Sequence, residues 1–357
     1  METRKVRCGA RRQTPRRQAP RRRAPDTRRR ASGVTRRLRL ASGASRCYAT
    51  RESFISNRGI IKLASTHIIT VALQKGGCTK TTCACTLAAA AALEGYSACI
   101  VDIDRQCNAT GTFIADADEM QEKGMLSSVA DAFLKKSPGS QVAVSIRDRL
   151  GGRLSIIPSN RGIDAVPIQL EAEIKSAEAR PGTALLDTHE MRQEHLTRLK
   201  KSLAGLRGKV DLVFIDTPPD LGFLTTSALI AADWVLVPLT PSKYDLSGLQ
   251  TFMANLAKVR RNFNPNLQLL GILLARVKKR VLLDRQLRER LAETFRPQHL
   301  FAADITDSAV HRQALASGTT IFEYASRTEP AVQQYLNVFR ELVSRLEAPA
   351  VVETANG

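Results

Sequence analysis

Cysteine runs out early in this 357-residue chain: the seven that occur are Cys8, Cys47, Cys78, Cys83, Cys85, Cys99 and Cys107, with none in the last 250 residues. An odd count crowded towards one end excludes the disulfide framework of a small secreted domain. Cys83 and Cys85 stand one residue apart with no neighbouring histidine, a spacing that suits neither a zinc nor an iron–sulfur site. They read as small buried hydrophobes in a reducing cytosol. No apolar run approaches the roughly 18 residues needed to span a membrane; the segment LAAAAAL at 87–93 is a helix piece and too short. Methionine is missing between Met1 and Met120, and acidic residues are nearly missing from the first 60, where only Glu2, Asp26 and Glu52 face 19 Lys or Arg.

That imbalance decides what the net charge of +20 means. Residues 1–60 carry +16 of it, from 19 basic and 3 acidic side chains; residues 61–357, with 35 basic against 31 acidic, carry only +4. The high isoelectric point therefore describes a tail and does not by itself make the folded body basic. The tail repeats a basic-proline theme, RRQTPRRQAPRRRAP, that cannot bury a core and is expected to be disordered. Three readings are open for it: an arm that binds nucleic acid through its arginines, an organellar transit peptide, or a leader upstream of the true translation start, which is preferred.

From Ile68 onward short apolar runs alternate with amphipathic stretches, the pattern of β-α units around a parallel sheet. Strands are expected at 67–73, 97–104, 154–159, 210–217, 233–239 and 267–275, and helices at 80–94, 126–136, 187–205, 221–231, 245–262, 284–296 and 330–347. The fold class is α/β: a doubly wound, mostly parallel sheet with helices on both faces. Residues 61–350 are expected to form one domain, with 160–190 a variable surface excursion and 351–357 a flexible end.

The chemistry concentrates at KGGCTKTT, Lys75 to Thr82, which nearly matches the phosphate-binding loop G-x-x-x-x-G-K-[ST] but has Gln74 and Thr79 where glycines belong. The setting is right for such a loop, because a buried strand, HIITVAL, precedes it and an alanine-rich helix follows. Gly76 and Gly77 let backbone N–H groups close on phosphate oxygens; Cys78 and Thr79 complete the turn. Lys80 can meet β and γ phosphates, Thr81 can ligate magnesium, and Thr82 can reach the α phosphate. Asp216 ends the strand VDLVFID, where such enzymes hold the metal, and Asp102 and Asp104 end another strand in VDIDRQCNATG, so both can lie at the carboxyl edge where open α/β sheets bind ligands, Asp104 being a further candidate metal ligand. One aspartate at a strand end means little; three in order, each after an apolar run, make a chance arrangement improbable.

Through QKGGCTKTT, VDIDRQCNATG, FIDTPPDLGFLTTSALIAAD and VLVPLTPSKYDLSGL, from about residue 67 to 347, the chain resembles the ParA/MinD group of deviant Walker A ATPases, and within it the ParA-type partition proteins. The resemblance implies ATP and Mg2+ as ligands, with ATP sandwiched between the subunits of a homodimer and Lys75 reaching across to the partner's nucleotide. It implies that Lys80, Thr81 and Thr82 make the intrinsic phosphate and magnesium contacts, that Asp104 serves hydrolysis with Asp102 in support, and that Asp216 occupies the Walker B position. The implied activity is slow, partner-stimulated ATP hydrolysis that switches binding to nonspecific DNA and so partitions plasmid or chromosomal DNA. The implied partner is a centromere-binding, ParB-type protein, and the implied place is the cytoplasm, on the nucleoid.

The chain departs from the group's pattern at Thr79, which replaces a glycine; if that position needs φ > 0, a β-branched residue costs about 1–2 kcal/mol. Arg105 and Cys107 stand where Pro and Gly are usual. In DITDSAVHRQALASG, 304–318, Asp307 and Val310 take positions where DNA-contacting arginines are frequent, while Arg312 remains. Arg276, Lys278, Lys279 and Arg280 form a separate basic run and, with Arg312, are the candidate DNA contacts; a solvated basic face is the alternative. A MinD-like membrane positioner would need a basic amphipathic C-terminal helix, and EAPAVVETANG is acidic and weakly apolar. A metal-cluster carrier would need cysteines after Cys107. A small-molecule ligase of the same fold stays open but leaves Lys75 unexplained.

Overall fold

The computed structural model describes residues 61–348 except 76, 78, 135–137, 147–148, 181–184, 242–244 and 279–280. The expectations for 1–60 and 351–357 therefore lie outside the described residues, as do those for Gly76, Cys78, Lys279 and Arg280.

Eight strands form one sheet: β1 (His67–Val71), β2 (Ala98–Asp102), β3 (Val144–Ile146), β4 (Leu154–Ile157), β5 (Leu212–Asp216), β6 (Trp234–Leu239), β7 (Gln268–Val277) and β8 (Ile305–Thr306), in the order β3-β4-β2-β5-β1-β6-β7-β8. Every pairing is parallel except β3 with β4. The six expected strands are all present. The two that were not expected are short edge strands of three and two residues, below the length at which an apolar run stands out from loop sequence.

The inner strands are apolar on both faces because helices cover both, as a parallel sheet requires. Alternation along the chain assigns the sides. Ile69, Val71, Ile100 and Phe214 pack with helices Lys80–Leu93 and Pro330–Glu347, whereas Ile68, Val101, Val213 and Ile215 pack with Leu203, Leu229, Phe252 and Leu291 of the opposite layer. Helix Lys80–Leu93 lies between the sheet and Pro330–Glu347 and is buried nearly all round. Its alanines allow that close approach, and Cys83 and Cys85 are buried in the same layer, as expected. Helix Pro330–Glu347 begins on a proline, which the first helical turn accepts, and buries Val332, Tyr335, Leu336, Phe339, Leu342 and Val343 along one stripe.

Within residues 160–190, the described segment 161–180 is not a surface excursion. Helix Ala165–Glu178 buries Val166 and Leu170 against that opposite layer and Ile174 along the same stripe, and Arg192 of helix Leu185–Leu203 pairs with its Glu171 and Glu178. A stripe of three apolar residues among charged ones was too sparse to register as a helix in the sequence. No helix among the described residues is long and apolar enough to cross a membrane.

Candidate functional site

Strand order brings the three motifs to one edge. In register, Val71 at the end of β1 lies beside Asp216 at the end of β5, and Asp216 lies beside Asp102 at the end of β2. Carboxyl ends of parallel strands are where open α/β sheets bind ligands. The Thr217 hydroxyl donates to the Val71 carbonyl (2.9 Å), and the Ile103 amide to the Asp216 carbonyl (3.1 Å), so the loops leaving all three strands are tied together.

The loop after β1 turns sharply and enters helix Lys80–Leu93. Gly77 has φ +74°, and a Cβ built there would meet nothing within 4 Å, so its surroundings are open towards the loop mouth. Lys80, the first helical residue, is buried, and its Nζ donates to the Lys75 carbonyl across the loop (2.8 Å). The ammonium group thus organises the loop from inside and is not a solvated surface charge.

Thr79 carries the strain that its replacement of glycine foretold: φ 65°, ψ 19°, at the helix N-cap without a side-chain cap bond. Cys107, the other residue at a usual glycine position, has φ 52°. Two positions thus keep a left-handed backbone with side chains that disfavour it, so the turns themselves and not the residues set the conformation. Relief of the left-handed strain, about 1–2 kcal/mol, exceeds the extra unfolded-chain entropy of glycine, about 0.4–1 kcal/mol. Thr79→Gly should therefore raise the melting temperature of the nucleotide-free protein by about 1–3 °C. A lowered temperature in calorimetry would mean that the threonine side chain gives back more than its backbone costs.

The three aspartates differ in their surroundings. Asp102 is fully buried and committed: Oδ1 accepts the Asp104 amide (3.0 Å), and Oδ2 accepts both the amide (2.8 Å) and the hydroxyl (2.7 Å) of Thr110. Burial pushes its pKa up to about 6, against those hydrogen bonds. It shapes the turn that carries Asp104 and has little capacity left for a ligand. Asp104 Oδ1 accepts the Gln106 amide (3.0 Å). Asp216 is the exception: both carboxylate oxygens are buried with no hydrogen bond of good geometry among the described residues. Burial first, and Asp102 second, hold its pKa well above the carboxylate range, while Thr81 and Lys80 at the helix start pull it down.

A buried carboxylate with no hydrogen-bond partner beyond the nearby Thr81 hydroxyl is costly and marks where a positive ligand belongs. Carboxylate and hydroxyl oxygens from Asp216 and Thr81 are hard donors suited to magnesium. Among the described residues no group of three or more His, Cys, Asp or Glu side chains forms a metal cage. Two such oxygen donors fit an ion that keeps few protein ligands and takes the rest from water and phosphate.

One brace went unseen in the sequence. Arg149 grips Glu323 with two parallel bonds (Nε–Oε1 2.5 Å, Nη2–Oε2 2.6 Å), donates Nη1 to the Thr112 carbonyl (2.9 Å), and lies 5.2 Å from the Phe113 ring centroid. Glu323 also accepts the Thr320 amide and hydroxyl at 2.9 Å each, and these bonds with Arg149 hold its pKa low against burial. The brace supports helix Asn108–Phe113, which follows the Asp104 turn. Residues 174 apart leave no local signal.

Of the expected DNA contacts, Arg276, Lys278 and Arg312 come together, although the sequence had set Arg312 apart from the basic run. All three reach Asp307: Arg276 Nε at 3.4 Å, Arg312 Nη1 at 3.3 Å and Lys278 Nζ at 4.0 Å.

Against known proteins, a family model described as an AAA domain matches residues 66–269. The chain is 31% identical over 284 residues to the chromosome-partitioning ATPase Soj of Thermus thermophilus, covering 80% of this chain and 98% of that one. It is 28% identical to the chromosome partitioning protein ParA of Myxococcus xanthus, over 78% of this chain and 88% of that one. Among solved structures it is similar to a cobyrinic acid a,c-diamide synthase of Mycobacterium smegmatis determined with an ATP analogue and magnesium, at 26% identity and TM-score 0.62, covering 79% of this chain and 96% of that one. With the family model spanning more than half of the chain and the relative from Thermus matched almost end to end, the chain belongs to the ParA-type partition ATPases.

Proposed function

We propose that this protein is an ATP-driven dimerising switch that binds nonspecific DNA and partitions or positions a DNA cargo. The observation that carries the proposal is the fully buried Asp216 carboxylate, in register with Asp102, facing the Thr81 hydroxyl at the start of the helix that bears Lys80 and with no other hydrogen bond among the described residues. Membership of the partition ATPases supports ATP and Mg2+ as ligands, as do the ATP analogue and magnesium in the similar Mycobacterium smegmatis structure. Residues 61–350 would form the ATPase unit, and residues 1–60 a separate polyanion-binding tail.

In this reading Gly76, Gly77, Cys78 and Thr79 present backbone N–H groups to phosphate, Lys80 offsets charge on the β and γ phosphates, and Thr82 contacts the α phosphate. Thr81 and Asp216, with Asp104 near them, would hold Mg2+, whose contribution is to neutralise phosphate charge. Asp104 orients the attacking water; Asp102 holds the turn that aims it. Little else is required, since phosphoryl transfer is catalysed mainly by positioning and charge neutralisation. Slow turnover, stimulation by a centromere-binding ParB-type partner and a nucleoid location in the cytoplasm complete the cycle: ATP closes the dimer on DNA, and hydrolysis releases it.

Lys75 lies before the glycines and is proposed to act on the nucleotide of the second subunit. Lys75→Ala should leave ATP affinity of the monomer within about threefold while lowering ATP-dependent dimerisation by at least ~10-fold, the scale of losing one charge-assisted phosphate contact. Nucleotide titration and sedimentation, run separately, check this; equal losses in both would place Lys75 in its own subunit's cradle.

A second reading, a small-molecule ligase, is favoured by the likeness to the cobyrinic acid a,c-diamide synthase. It predicts ATP turnover that depends on a small acid and is indifferent to DNA. A MinD-like positioner, the remaining alternative, would bind anionic vesicles in ATP.

A further inference from the structure

The basic face is built around an acid. Arg276 comes from β7, Lys278 from the turn after it and Arg312 from helix Ala309–Ala316, yet all three converge on Asp307. Chain geometry arranges this. Between Ala275 and Val277 the pairing of β7 with β8 slips by one residue, so Arg276 is the extra residue of a bulge and has φ 60°. Bulges re-aim side chains: Ala275 and Val277 are both buried, while Arg276 between them is turned out to Asp307. The Asp307 amide donates to the Val277 carbonyl (3.0 Å), fixing the acid against the bulged strand.

The contacts are long for charged pairs. At 3.3 to 4.0 Å they exceed the roughly 2.7–2.9 Å of a tight charge-assisted bond. The cations are also open to solvent, with 45, 64 and 63% of the Arg276, Lys278 and Arg312 side chains exposed against 20% for Asp307. Arg276 uses only its Nε, so its outer guanidinium nitrogens have no hydrogen-bond partner among the described residues. Exposed ion pairs of this kind contribute little and exchange readily. Nearby His311 adds no charge: its ring packs edge-on to Tyr335 (centroids 5.3 Å apart), and burial lowers its pKa, outweighing the pull of Asp307.

We infer that Asp307 is a built-in counter-anion, standing among Arg276, Lys278 and Arg312 where a phosphate of the nucleic-acid backbone competes for the same cations. The inference rests on the proposed DNA-binding function. It assigns the carboxylate a specific effect: it keeps three cations gathered but cancels one charge in each subunit, so that binding stays weak enough to be released when the dimer opens.

The experiment uses the full chain and fluorescently labelled duplex DNA of arbitrary sequence, titrated with ATP and with ADP at several salt concentrations. The quantity read is the ATP-dependent increment, because the tail contributes equally under both nucleotides. Asp307→Asn keeps size and removes the charge. It should tighten the ATP-dependent binding about tenfold near physiological salt and steepen the plot of log affinity against log salt by roughly 0.9 for each subunit, the increment for one more phosphate neutralised. ATP turnover without DNA should be unchanged. Arg312→Gln should shift both readouts the opposite way, and the Asp307→Asn/Arg312→Gln double variant should return towards the parent, which keeps the test valid if either single variant is less stable. Equal or weaker binding by Asp307→Asn, with the parent's ATP-dependent increment intact, overturns the inference and makes the acid a mere scaffold. A parent with no ATP-dependent increment removes the underlying DNA reading, and the inference falls with it.

Discussion

Lys80→Ala abolishes ATP binding: nucleotide affinity is expected to fall at least ~100-fold, with dimerisation and turnover lost as a consequence. Two effects add. The ammonium is a buried cation at the start of the helix, proposed to meet the β and γ phosphates, and hydrogen bonds to ionised groups contribute about 1.5–3 kcal/mol each. Its Nζ also ties the Lys75 carbonyl across the loop (2.8 Å), so alanine loosens the loop as well as removing the charge. In addition it removes one of the two groups that lower the pKa of Asp216, leaving that carboxylate still less able to ionise and receive a cation. Isothermal titration with a non-hydrolysable ATP analogue checks the expectation. Affinity within a few-fold of the parent would show that backbone N–H groups alone carry the phosphates and that the lysine is structural.

Asp104→Ala should separate binding from chemistry. Its carboxylate caps the turn through Gln106 (3.0 Å) and stands at the end of β2, while the turn itself is held by Asp102 and Thr110. Removing one oxygen pair should therefore leave the turn and the phosphate loop in place. ATP affinity should stay within about threefold, while single-turnover hydrolysis should fall roughly 10²–10⁴-fold, the usual loss when a positioned general base or water-orienting group is removed. Such a variant should accumulate as an ATP-bound dimer. Hydrolysis at the parent rate would move the role off Asp104. Asp102 is then a poor substitute, because all its hydrogen bonds in the structure are spent on the backbone of Asp104 and on Thr110.

How much of this was legible beforehand depends on the range of the signal. The β-α order was readable because each inner strand is a run of apolar residues bounded by turn residues, and the phosphate loop because its residues are consecutive. The positive φ of Thr79 followed from a glycine missing where a left-handed turn was required. What stayed hidden was set by contacts between distant segments. Nothing local to Arg149 announces Glu323 or the Thr112 carbonyl. Asp307 looked like the loss of a basic position until β7, its bulge and helix Ala309–Ala316 brought three cations around it. Likewise Asp102 and Asp216, 114 residues apart, became neighbours only through the β2–β5 register. The helix Ala165–Glu178 was missed for a different reason: its buried stripe of Val166, Leu170 and Ile174 is diluted by charged residues.

The central claim is that ATP, by joining two subunits, creates the DNA-binding state. The basic tail complicates its test, since 19 Lys or Arg in residues 1–60 should bind any polyanion whatever the nucleotide. The decisive measurement is therefore a DNA titration of the full chain with ATP, with ADP and without nucleotide at one fixed salt concentration, with the oligomeric state followed in parallel by sedimentation. Joining two binding faces should raise DNA affinity in ATP at least ~10-fold above the other two conditions, by effective concentration alone, and only where the dimer forms. Coincident titration curves in all three conditions, with ATP still driving dimerisation, would contradict the account.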